Sequence, residues 1–194
     1  MCDGVFAIAI TLLIIEVGLP ATAEISTTAD FWNALLQVTP QIYAFVLSFV
    51  VIFISWANHH NFFKLVGKSS PPFVYANGFL LLTIVLVPFP TNLLGEYIVT
   101  DHAAPAVVAY NAVFALQAVG WFFMGRSVAA GNLSRSAAAE RKVADATRNA
   151  VFAFIIYTVL AVLAIWLPQV AATLTTLYWV FWLVYGIRME PSEG

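Results

Sequence analysis

The chain has 194 residues, of which 62% are apolar and only 9% charged, and its mean hydropathy is +0.90. Soluble domains carry about 25% charged and about 45–50% apolar residues, so there are too few charges here to cover a water-facing surface; a soluble enzyme, a nucleic-acid binder and a disordered chain are excluded. The formal net charge of -2 matters less than where the charges lie, and the single cysteine, Cys2, excludes an internal disulfide and a cysteine-based metal cage.

A membrane-spanning helix needs about 20 mostly apolar residues, and six segments qualify. The expected spans are about 3–19, ending at Pro20; 31–57, without one charge; 73–95, with Pro88 and Pro90 near its far end; 103–125; 149–167, stopping at Pro168; and 169–187. Strands of a membrane barrel would be about ten residues long with alternating polarity, and these are not. The first segment has Asp3 where a signal peptide needs a basic start, and it lacks a small-residue cleavage site; it is expected to be mature structure. The fold class is therefore an all-α integral membrane protein, with 1–194 forming one six-helix domain and no second domain or internal repeat.

All eight Lys and Arg residues fall on one side of an alternating six-span topology. Lys64 and Lys68 follow span two, five more lie between Arg126 and Arg148, and Arg188 follows span six. By the positive-inside rule that side is cytoplasmic, with both termini. The other side carries Glu16, Glu24, Asp30, Glu96 and Asp101, with no base opposing them. The loop 126–148 reads as a solvated charged face that extends span five as a helix.

Span one holds the unusual chemistry. Ile8, Leu12 and Ile15 stand at i, i+4 and i+7 and form one stripe, beside a narrow stripe of Ala7 and Thr11 of the kind that lets helices approach closely in lipid. An apolar stripe alone also fits lipid-facing or core packing. Asp3 is costly inside a membrane and calls for a partner. Trp56, His59 and His60 lie at the same depth on span two, so either a His–Asp contact or an indole N–H donated to the carboxylate is feasible; an interfacial N-cap exposed to water is the alternative. Adjacent His59 and His60 point about 100° apart on a helix and cannot share one metal ion. His102 is on the other side, and no Ser/His/Asp set, phosphate-cradling glycine loop or Cys pair is present. Neither metal binding nor catalysis is expected.

The run Asp-Gly-Val-Phe-Ala-Ile-Ala-Ile-Thr-Leu-Leu at 3–13 resembles the first helix of the prokaryotic transmembrane protein 175 family, relatives of the endosomal and lysosomal potassium channel. Trp56-x-x-His59-His60-x-x-Phe63, Pro88-Phe89-Pro90-Thr91, Leu94-Gly95-Glu96-Tyr97, Tyr110-Asn111-Ala112, Gln117 and Gly120-Trp121 extend the likeness in order along nearly the whole chain. Met1 and Cys2 stand where the family signature has Phe and Ser, and its Arg would precede residue 1.

The resemblance implies a potassium-permeable cation channel in the cell membrane, without a carbonyl selectivity filter and without a cofactor beyond K+ as the permeant ion. It implies a homotetramer whose first helices line a central pore. By distance from the motif Asp, Ile8, Leu12 and Ile15 would be the pore constriction and Thr11 the hydroxyl favouring potassium. Asp3, Trp56 and His59 would form a structural hydrogen-bond network, while Glu16, Glu24 and Asp30 would form an outer acidic mouth. The rivals are a secondary cation transporter, which should show an inverted repeat around a polar midplane site, and a non-conducting membrane scaffold.

Overall fold

The structure, a computed structural model, describes residues 2–15, 17, 18 and 25–188. Eight helices follow one another: α1 (Cys2–Ile15), α2 (Thr28–Gln37), α3 (Thr39–Leu65), α4 (Pro71–Leu86), α5 (Pro88–Tyr97), α6 (Ala103–Ala130), α7 (Ala137–Leu163) and α8 (Pro168–Arg188). Among the described residues, four runs are long and apolar enough to cross a membrane: 28–65, 71–97, 103–130 and 137–163, while α1 is a shorter apolar helix. The far end of the expected first span lies outside the described residues.

Local chemistry explains where the helices differ from the expected spans. The 73–95 segment is two helices, because Pro88 and Pro90 supply no N–H and their rings clash with carbonyls one turn back. Helix α5 restarts at once, with Thr91 donating both its N–H and its hydroxyl to the Val87 carbonyl. Helix α2 begins earlier than residue 31 because Thr27 and Asp30 form a reciprocal capping box, and α3 runs past residue 57 to Leu65. Helix α7 starts at Ala137, twelve residues before the apolar run begins, on the side-chain cap of Ser136.

Helix α6 is the mast. It packs on α4, α5, α7 and α8, with its longest contact along α7. A Cβ on Gly125 would lie 1.9 Å from Thr147 Oγ1, so only glycine admits this approach of α6 to α7. Several buried polar side chains bond across helices, which satisfies them away from water. Gln117 donates to Ser55 (2.9 Å) and Thr175 to Asn111 (2.9 Å). A chain of hydroxyls joins α6, α3 and α5: Thr91 spends its proton on Val87, so Ser48 donates to Thr91 (2.7 Å) and Tyr110 donates to Ser48 (3.1 Å). The expected bundle architecture is thus all-helical, with its core between α6 and its neighbours.

Candidate functional site: the foot and the bare face of α1

Helix α1 runs antiparallel to α3 and is fixed at both ends. At its foot, the indole N–H of Trp56 donates to Asp3 Oδ1 at 2.9 Å. Toward the other end, Gly18 N–H donates to Gln41 Oε1 at 3.1 Å. Of the two partners open to Asp3, the bond goes to the indole; His59 turns elsewhere, its Nε2 lying 2.8 Å from Asn77 Oδ1. The Asn77 Nδ2 in turn donates to Cys2 Sγ at 3.5 Å. With the amide nitrogen committed to sulfur, the amide oxygen faces the ring, and His59 Nε2 carries the proton.

His59 is buried where four helices meet. Phe6 of α1, Phe63 of α3 and Trp121 of α6 surround its ring at centroid distances of 5.3, 4.5 and 6.3 Å, and Asn77 comes from α4. His60, one residue on, is exposed and stacks on Trp56 instead. The two imidazoles therefore serve different environments, and among the described residues no group of His, Cys, Asp or Glu could hold a metal ion. Asn77 went unnoticed in the sequence. A signal was there: it is a lone amide in an apolar run, and it stands as far after Lys68 as His59 stands before it, so an antiparallel helix pair brings them to one depth.

The other face of α1 is bare. Phe6, Ala9 and Leu13 are buried at 1%, 1% and 0% exposure, whereas Ile8, Leu12 and Ile15 are 60%, 38% and 72% exposed. Thr11 is on the exposed side with them, its hydroxyl donating to the Ile8 carbonyl at 2.9 Å and leaving its lone pairs outward. Of the acidic set, Asp30 accepts the Thr27 N–H at 2.8 Å, and Glu96 and Asp101 are exposed; Glu16 and Glu24 lie outside the described residues.

Comparisons with known proteins bear on this arrangement. The family model described as the endosomal/lysosomal potassium channel TMEM175 matches residues 1–88. A potassium channel of Chamaesiphon minutus is 38% identical over 144 residues, covering 74% of this chain and 70% of its own length. One of Chryseobacterium sp. is 28% identical over 192 residues, covering 98% and 93%. The crystal structure of a lysosomal potassium-selective channel TMEM175 homolog from Chamaesiphon minutus superposes with a TM-score of 0.83 at 31% identity, over 95% of this chain and 93% of that one. The potassium channel MtTMEM175, at 16% identity and a TM-score of 0.65 over 96% and 89%, shares the fold. With the foot of α1, its motif run and these relatives together, the chain belongs to the TMEM175 family, a family of membrane potassium channels and not of enzymes.

Proposed function

We propose that this chain conducts potassium passively across the cell membrane as a homotetramer, each copy a single six-helix domain with both termini cytoplasmic. Four α1 helices converge on a central pore, and Ile8, Leu12 and Ile15 form its constriction. One observation carries the reading: α1 buries Phe6, Ala9 and Leu13 while leaving this whole apolar stripe uncovered. Its relatives' names as potassium channels support it.

The physics follows from the side chains. A ring of Ile or Leu offers no hydrogen bond to a hydrated cation, so a narrow one empties of water and blocks conduction until it widens. The three rings would span seven residues, about 10 Å along the helix, so a modest rotation or dilation of α1 would open them together. Selectivity would come from pore width and hydration, aided by Thr11, and potassium preference is expected to be modest. The acidic residues Glu16, Glu24 and Asp30 would raise cation concentration at the outer mouth.

The test is a reversal potential in planar bilayers with potassium on one side and sodium on the other. Discrete currents reversing toward the potassium equilibrium potential are expected, and Ile8→Asn, Leu12→Asn or Ile15→Asn should each raise conductance several-fold by wetting a ring. Currents unchanged by all three substitutions would remove the pore assignment. Saturable flux would indicate a transporter, and silence from a folded tetramer a scaffold.

A further inference from the structure

At the basic end of the helices two loops are tied into one body. Gly67 N–H donates to the Leu133 carbonyl at 2.8 Å, Arg135 N–H donates to the Leu65 carbonyl at 2.9 Å, and Val66 pairs with Ser134 in an antiparallel bridge. Seven of the chain's eight Lys and Arg residues belong to these segments or to the helix ends beside them. Among the described residues at this end the carboxylates are Asp3, which accepts from Trp56, together with Glu140 and Asp145, and Asp145 is taken by Arg148 at 2.9 Å. Arg126 is exposed and has no ion pair or side-chain hydrogen bond among the described residues.

Beside Arg126 is an aromatic ledge shared by α4 and α6. These helices cross where a Cβ on Gly120 would lie 3.0 Å from Leu80 Cα. On the basic-end side of the crossing, Phe79 of α4 meets Phe123 of α6 edge to face, with centroids 6.3 Å apart. Phe123 is 49% exposed, and Tyr75, one turn from Phe79 on the same face of α4, is 79% exposed. At a rise of about 1.5 Å per residue, Phe123 stands about 4.5 Å, Tyr75 about 7.5 Å and Arg126 about 9 Å beyond the crossing. An unpaired guanidinium thus stands just outside two uncovered rings.

We propose that this ledge binds an anionic phospholipid of the leaflet at the basic end, its acyl chains on Tyr75, Phe79 and Phe123 and its phosphate on Arg126. The positive-inside rule accounts for basic residues at one end; it does not account for an unpaired one placed outside exposed rings from two helices. A lipid matches both parts of the surface, because the rings lie on the membrane side of the cation and its headgroup level carries the opposite charge. A soluble polyanion would leave the rings uncovered. The inference needs membrane placement only, so a failure to conduct potassium would leave it standing.

The experiment uses the purified full chain in micelles containing equal amounts of dioleoylphosphatidylglycerol and dioleoylphosphatidylcholine, with retained lipid and oligomer mass read from the same native mass spectrum. Phosphatidylglycerol should be retained over phosphatidylcholine by about fivefold, the factor one lysine or arginine contributes near an anionic headgroup layer. Arg126→Gln should remove that preference, and Arg126→Lys should keep it. Tyr75→Ala with Phe123→Ala should lower retention of both lipids at unchanged oligomer mass. Equal retention of the two lipids by the native chain overturns the proposal, as does an unaltered preference in Arg126→Gln or a lost one in Arg126→Lys. A changed oligomer mass in the double alanine variant would make the ledge a contact between copies, which also overturns it.

Discussion

Helices α1 and α6 are both apolar, yet they are held in opposite ways. Helix α6 buries thirteen of its twenty-eight residues and packs against helices on several sides. Helix α1 buries three of fourteen and leaves its Ile8–Leu12–Ile15 stripe uncovered. What fixes α6 is close packing distributed along its length, which changes all at once or not at all. What fixes α1 is one buried stripe plus a few directional bonds, at Asp3 and Cys2 at the foot and at Gly18 near the other end. Elements with few buried contacts open locally at lower free energy than densely packed ones, so α1 is expected to open before α6 does. The contrast makes α6 the central packing element, and α1 the one with a whole apolar stripe left uncovered.

The largest effect is expected where packing is tightest. Gly125→Leu drives a side chain into Thr147, whose Oγ1 and Cβ would lie 1.9 and 3.0 Å from the new Cβ. Overpacking of this kind costs about 3 kcal/mol, since the two helices must part along their main contact. Gly125→Ala should cost about 1–3 kcal/mol. Adding Thr147→Ala removes the closer atom but keeps the Cβ contact, so it should restore part of the loss and not all of it. Thermal unfolding in detergent reads these variants and Thr147→Ala alone; full additivity of the two alanine substitutions would show that α6 and α7 are not in register through this glycine.

The foot of α1 should respond differently. Trp56→Phe keeps the ring's packing against Phe53 and His60 and deletes the indole N–H that Asp3 accepts. Hydrogen bonds to charged groups contribute about 1.5–3 kcal/mol, and the exposure of Asp3 lowers the expectation to about 1 kcal/mol. Amide hydrogen exchange is the discriminating measurement. Protection should fall several-fold in α1 and stay unchanged in α6 and α7. An equal fall in all three would mean that α1 is part of the same cooperative unit, and the contrast between the two helices would be lost.

How much of this could be read beforehand depended on what kind of interaction was involved. The apolar runs were visible because lipid imposes length and composition on every span. Depth alone brings Trp56, His59 and His60 level with Asp3, but it does not choose among them; the bond to the indole is visible only in the packed structure. The division at Val87 is marked by Pro88 and Pro90, yet the apolar run continues through them to Gly95 and reads as one span, because proline fits a kink within a span as well as a stop. The union of the two basic loops was not visible at all. It is made by backbone N–H and carbonyl groups of Leu65, Gly67, Leu133 and Arg135, and main-chain bonds leave no mark in residue identity. The glycine contacts at Gly120 and Gly125 were equally silent, as a glycine inside a helix does not announce which helix it admits.

The smallest effect concerns Cys2, and its sign is the informative part. Asn77 reaches Cys2 Sγ at 3.5 Å, and a thiol sulfur is a weak acceptor. Cys2→Ser substitutes a hydroxyl that accepts an N–H more strongly, with the same number of side-chain atoms. The shorter bond to oxygen draws Asn77 toward α1 while its carbonyl oxygen keeps the proton of His59. The change should stabilise the foot by about 0.5 kcal/mol, a twofold gain in exchange protection confined to the first turns of α1. In the Asn77→Ala background the same substitution should do nothing, because the donor is gone. A gain that persists without Asn77 would place the effect in α1's own helix start, and the Cys2 contact with α4 would then carry none of the foot's stability.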